Sequence, residues 1–157
     1  MKVIKNSDKK IIWTLSSLVP EYLKNKFADS SAQILHIPLI KLSLNDNYKK
    51  IDSIIKNYNK FIITSPYAAE ILSNHLNSDH EIYTVGEKVC SILYKSNLRI
   101  IKSFFNSEQL SSWLRENLDS SIIHLCSEKS DKSIFPNNVD SYAFYRPFKN
   151  DNINKEV

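Results

Sequence analysis

The chain has 157 residues, 42% of them hydrophobic, and a formal net charge of +4. That is enough apolar material for a packed core, and the lysines are too scattered to mark a disordered tail or a nucleic-acid arm. A single glycine, Gly86, argues against a Gly-rich phosphate loop or dinucleotide fingerprint, whose turns need several positions without a Cβ.

The start of the chain is polar and Lys-rich with no apolar h-region, and no apolar run approaches the roughly 18 residues of a membrane span. Ile11 to Leu15 reads as the first strand. A helix follows from about Leu18 to Phe27, capped by Ser16 or Ser17, with Pro20 in its first turn. Gln33 to Leu44 is extended, with a bend or an edge position at Pro38. Lys49 to Tyr58 places Ile51, Ile54, Ile55 and Tyr58 on one helical face.

Lys60 to Thr64 is an apolar, β-branched strand, and Ser65-Pro66 reads as an N-cap followed by an N1 proline. The helix it opens carries Ala68, Ile71, Leu72 and His75 at i, i+3, i+4 and i+7. Glu81 to Val85 is a strand ended by Gly86, and the next helix, Glu87 to Ser96, buries Val89, Ile92 and Leu93. Arg99 to Phe105 is a strand. Asn106 or Ser107 then caps a helix carrying Leu110, Trp113, Leu114 and Leu118. Ser121 to Cys126 is a strand, Ser127 to Lys132 a polar loop, and Ser141 to Phe148 a last aromatic strand. The tail from Lys149 to Val157 is polar and expected to fray.

Strands alternating with helices predict βαβ units and a doubly wound, flavodoxin-like parallel sheet. Ligands of such sheets sit outside the carboxyl ends of the strands. Those ends are Thr64-Ser65, Val85-Gly86, Phe105-Asn106 and Cys126-Ser127, so a rim of hydroxyls and helix-start amides is expected, suited to carboxylates or phosphates.

Cys90 and Cys126 have no C-x-x-C spacing, and they read as buried thiols of a reducing compartment. The four histidines, His36, His75, His80 and His124, are unclustered. His124 lies in an apolar strand and reads as a core histidine, so no metal site is expected.

The ordered segments HIPLIKLSL, FIITSPYAAEIL, IYTVGEKVCSIL, FFNSEQLSSWL, IIHLCSEKSDKSIFP and SYAFYRPF, covering about Ile11 to Phe148, resemble the uroporphyrinogen-III synthase family. Two positions depart from the family pattern. Leu15-Ser16-Ser17 lacks the usual arginine, and Ser127 stands where the family has glycine. The resemblance implies one complete α/β domain at 45–140 and a partial β-α-β first domain at 1–36 that lacks its second half. A linker strand at 37–44 and a return strand with tail at 141–157 would form a two-stranded ribbon. The exposed edges of the partial unit would call for its own second domain, another copy or a separate half-domain.

The resemblance also implies a cytoplasmic enzyme that closes hydroxymethylbilane, a linear tetrapyrrole polyanion, into uroporphyrinogen III with inversion of the last ring. No cofactor and no metal are needed, and neither nucleic acid nor membrane is a partner. The alternative is a module of the same family that binds or scaffolds without catalysis. In the enzyme, Tyr145 is the candidate general acid or leaving-group hydrogen-bond donor. Thr64, Ser65, Gly86, Ser107, Ser127 and Lys129 are the candidate substrate-binding residues. Each has a plainer reading as a packed aromatic, a cap, a turn glycine or a solvated loop.

Overall fold

The computed structural model describes residues 10–28, 32–117 and 120–151. By the density of its contacts the chain divides into two units, one of Met1–Leu42 with Pro147–Val157, the other of Ser43–Arg146.

In the first unit, β1 (Lys10–Trp13) and β2 (Gln33–His36) pair in parallel with α1 (Glu21–Phe27) between them in sequence. Pro20 stands at the N-cap of α1, which has no side-chain cap, so the expected capping by Ser16 or Ser17 does not occur. The reason is local: proline at this position sets an extended backbone before the first helical residue. Instead, the Ser17 carbonyl accepts the Trp13 indole N–H at 2.8 Å. α1 buries none of its residues, and Leu15, Leu18 and Tyr22 are exposed. Two strands and a short helix have too few faces to close a core of their own. The expected frayed tail is partly held. Lys149 ends a strand, and Asn150 is buried, donating from its backbone to the Leu39 carbonyl and from its side chain to the Pro38 carbonyl. Residues 152–157 lie outside the described residues, as does Leu118.

A six-stranded sheet makes up most of the second unit, with residues 40–42 of its first strand and 147–149 of its last counted in the first unit. Its strands are β3 (Ile40–Leu44), β4 (Lys60–Ile63), β5 (Glu81–Val85), β6 (Ile100–Phe104), β7 (Ile122–Ser127) and β8 (Val139–Lys149), in the order β3-β8-β7-β4-β5-β6. Strands β4 to β8 pair in parallel throughout. β3 runs against β8: the Asn150 amide bonds to Leu39 and the Asn45 amide to Phe144, so partner numbers fall on one strand as they rise on the other. The bend at Pro38 separates β2 from β3, as its missing N–H requires. β8 is more than a linker strand. It is a full member of the sheet, in register with β7 from Ile122–Val139 to Ser127–Tyr145.

Alternation along the strands feeds two apolar layers. On one face Ile62, Tyr83, Phe104 and Ile122 pack with Leu110 and Leu114 of α5 (Ser107–Asn117) and with Phe135. Phe61, Ile63 and Ile82, one residue out of step, are buried toward the other face. Ala68, Ala69 and Leu72 of α3 (Pro66–Leu72) and Val89 and Leu93 of α4 (Glu87–Lys95) are buried as well. The helix expected at 49–58 is shorter. A 3-10 turn at Asp46–Lys50, capped by Asn45, runs into α2 (Ile51–Ile55). The Asn45 side chain accepts the Asn47 amide, which starts the turn before the apolar periodicity begins.

Counted from β4, the parallel strands stand in the order third, second, first, fourth, fifth. The order therefore reverses between β4 and β7, and the carboxyl ends of those two strands flank the crevice such a reversal opens.

Candidate active site at the strand-order reversal

Five parallel strands end on one rim, about 19 Å from the tip of β6 to the tip of β8 at ordinary strand spacing. Thr64 and Ser65 leave the end of β4, and Ser127 ends β7, so these three flank the reversal itself. Tyr145 is in register with Ser127 on the next strand.

The Thr64 hydroxyl oxygen lies 3.1 Å from Nε2 of His124, which is buried on β7. Burial, with a smaller push from Lys132, lowers the His124 pKa to about 4, so the ring is neutral at pH 7. Its Nδ1 is buried with no partner. A buried bare lone pair is tolerated better than a buried orphan N–H, which places the ring proton on Nε2, donating to Thr64. The Thr64 O–H then keeps its own proton to donate elsewhere. His124, read from the sequence as a core histidine, is one, and it also orients a rim hydroxyl.

Ser65 occupies the N-cap position of α3 but makes no side-chain cap bond. Its hydroxyl instead lies close enough to the Tyr145 phenol to lower that group's pKa. Ser65 is thus the N-cap by position without a side-chain cap bond, and Pro66 at the first helical position already fixes the helix start. Tyr145 is 4% exposed, and burial raises its phenol pKa despite the Ser65 hydroxyl. It is a protonated donor at neutral pH. Its ring packs on Tyr67, with centroids 5.0 Å apart.

Ser127 accepts the Lys129 amide on its hydroxyl, and its own amide donates to Ser130. The two residues share one tight turn, with the Lys129 side chain in solvent. Gly86 ends β5 with φ of +86°, so the positive dihedral expected of a turn glycine is present, and open space surrounds the position of a Cβ. Asn106, not Ser107, caps α5. It accepts the Gln109 amide at 2.9 Å, while Gln109 reaches back to the Phe105 amide. Ser107 is the first residue of the helix. The structure thus brings Thr64, Ser65, Ser127 and Tyr145 together around the reversal. Gly86 and Ser107 follow β5 and β6, on the far side of β4.

Beside β8 the rim continues into a cleft of about 470 Å³ lined by Leu44 to Lys49, Glu128 and Arg146. Charges there are balanced. Lys49 pairs with Asp46 at 3.0 Å, and Asn45 donates to Glu128 at 2.6 Å. The sequence reading missed this cleft, although Asn45-Asp46-Asn47 after an extended run is a recognisable turn signal. No group of three or more His, Cys, Asp or Glu residues among the described residues could hold a metal ion. No helix among them is long and apolar enough to cross a membrane.

Fold and site together define a doubly wound α/β protein with a hydroxyl-lined crevice at its strand-order reversal. A family model described as uroporphyrinogen-III synthase HemD matches residues 21–141, and the chain belongs to that family. A mutant uroporphyrinogen III synthase from the extremely thermophilic bacterium Thermus thermophilus superimposes with a TM-score of 0.58 at 12% identity, over 90% of this chain and 64% of that one. Uroporphyrinogen-III synthetase from Helicobacter pylori 26695 gives 0.53 at 13%, over 90% and 63%. At such identities the likeness speaks for the fold alone. An uncharacterized protein of Rickettsia prowazekii (strain Madrid E) is 32% identical over 114 residues, 71% of this chain and 38% of that protein. The chain therefore spans less than two thirds of these relatives.

Proposed function

We propose that the chain carries a uroporphyrinogen-III synthase site, which cyclises hydroxymethylbilane to uroporphyrinogen III with inversion of the last pyrrole ring, in the cytoplasm. The observation that supports this most directly is the buried, protonated Tyr145 phenol, set opposite Ser127 beside the strand-order reversal. The substrate cyclises unaided to the wrong isomer, so the protein's task is positioning and charge stabilisation. Thr64, with its proton freed by His124, and the turn at Ser127–Lys129 meet the carboxylates. Tyr145 hydrogen-bonds the departing terminal hydroxyl. The free thiols Cys90 and Cys126 agree with a reducing compartment.

The test is a coupled assay. Purified protein receives freshly made hydroxymethylbilane, and the oxidised product is separated by isomer. Type III isomer above the uncatalysed background is expected, and type I alone rejects the enzyme reading. One observation favours the second reading, a family module that binds without catalysis. Among the described residues, β1 and β2 of the first unit form a two-stranded sheet and α1 has no buried residue. Such a module would bind the tetrapyrrole yet leave the isomer ratio unchanged.

A further inference from the structure

Outside the crevice, three side chains from three separate segments form a hydrogen-bonded chain. Asp52 of α2 lies 2.6 Å from Nδ1 of His75, and Nε2 of the same ring lies 2.9 Å from the Tyr48 hydroxyl. Tyr48 belongs to the 3-10 turn and His75 to the turn that follows α3. The Tyr48 and His75 rings meet edge to face at 5.6 Å, and Phe144 backs Tyr48 at 6.3 Å. The His75 side chain is 18% exposed and that of Asp52 72%.

This geometry assigns the protons. A carboxylate only accepts, so Asp52 takes the Nδ1–H of His75, and Nε2 of the neutral ring is left as an acceptor for the Tyr48 O–H. When the ring holds a second proton, Nε2–H donates to the phenol oxygen, and the Tyr48 proton must turn away from His75. Tyr48 lines the 470 Å³ cleft beside Lys49 and Arg146, so the cleft is where that proton can go. Tyr67 links this chain to the crevice. Its ring packs on Tyr145, and it lies close enough to Tyr48 for the two phenols to influence each other.

We propose that Tyr48 is a proton-transfer residue of this cleft, loaded by the His75–Asp52 pair behind it. The proposal rests on the synthase reading and adds to it a second donor beside Tyr145, whose side chain is nearly buried. In the step, Tyr48 gives its proton to the terminal hydroxyl of the bilane as the carbon–oxygen bond breaks. The bonding pair leaves with the oxygen, as water. With Nε2 of His75 first protonated from solvent, the imidazolium returns that proton to the phenol, and the positive charge passes from His75 to the pyrrole ring that lost the hydroxyl. Tyr48 touches the reacting atoms; His75 and Asp52 are positioning residues.

The experiment measures kcat and KM separately for the wild type, Tyr48→Phe, His75→Gln and the double variant. Alongside it, ¹⁵N NMR of the His75 ring is recorded with and without a bilane octacarboxylate that lacks the hydroxymethyl group. Tyr48→Phe should lower kcat by roughly tenfold or more at nearly unchanged KM. The double variant should be no slower than Tyr48→Phe, because the relay acts through the phenol. The free protein should show the Nδ1–H tautomer, and the bilane should shift the His75 nitrogens in the wild type but not in Tyr48→Phe. An active wild type with full kcat in Tyr48→Phe, or with additive losses, overturns the proposal. If the wild type makes only type I isomer, the synthase reading fails and NMR decides alone. A bilane-dependent shift lost in Tyr48→Phe keeps Tyr48 as the ligand-facing end of the relay, and no shift overturns it.

Discussion

Thr64, just past the end of β4, and His124 on β7 are joined by a 3.1 Å hydrogen bond across the strand-order reversal. The bond ties the stability of the domain to the chemistry of its rim. His124 titrates at about 4 in the fold against an ordinary 6.5, so the unfolded chain takes up a proton that the folded one refuses. Stability should be full above about pH 6.5 and fall as the pH drops toward 4, by on the order of 3 kcal/mol. Urea unfolding of wild type and His124→Gln across this range checks it. Equal pH slopes in the two proteins would remove His124 as the cause.

Replacing Thr64 by Val should strand the Nε2–H of His124 in the core and cost about 1–3 kcal/mol. Thr64→Ser should restore most of that loss. If the Val variant melts with the wild type, the tautomer assigned to His124 is wrong.

Ser65 and Tyr145 form a pair that a double-mutant cycle can separate from helix capping. Ser65→Ala should cost about 1 kcal/mol in the wild type and close to nothing in a Tyr145→Phe background. Tyr145 should also ionise at a still higher pH in Ser65→Ala, read from alkaline tyrosinate absorbance, because the hydroxyl that lowers its pKa is gone. An equal cost in both backgrounds would return Ser65 to a plain cap.

At the start of α5 the two neighbouring candidates should behave differently. Asn106→Ala removes the side chain that accepts the Gln109 amide and should cost about 1 kcal/mol. Ser107→Ala should leave the unfolding midpoint nearly unchanged. Any loss of product formation in Ser107→Ala would then report contact with the substrate.

Gly86→Ala should destabilise through backbone strain alone, by about 1–2 kcal/mol, since the residue sits at φ +86° with no atom within 4 Å of the added methyl. A crystal structure of the variant should show an unshifted neighbourhood. Repacked side chains there would point to steric crowding instead.

The sequence by itself determined the strands, the helices and the rim. Apolar β-branched runs such as KFII and IIHLC can only be strands buried on both faces, and each is followed by the polar or helix-starting residues that place the carboxyl ends on one side. Thr64, Ser65 and Ser127 were legible there because strand ends are read from local pattern, whereas Tyr145, inside β8, was pointed to only by the family resemblance. Which strand neighbours which is a long-range matter. That β7 lies against β4, and so brings His124 to Thr64 across 60 residues of chain, follows from the strand order and not from any spacing. The same holds for Asp52, His75 and Tyr48, whose side chains carry no local signature and acquire one only when α2, α3 and the 3-10 turn pack together. Local propensity fixes elements within a dozen residues. Proton positions and partners depend on burial and on contacts that the folded chain alone creates.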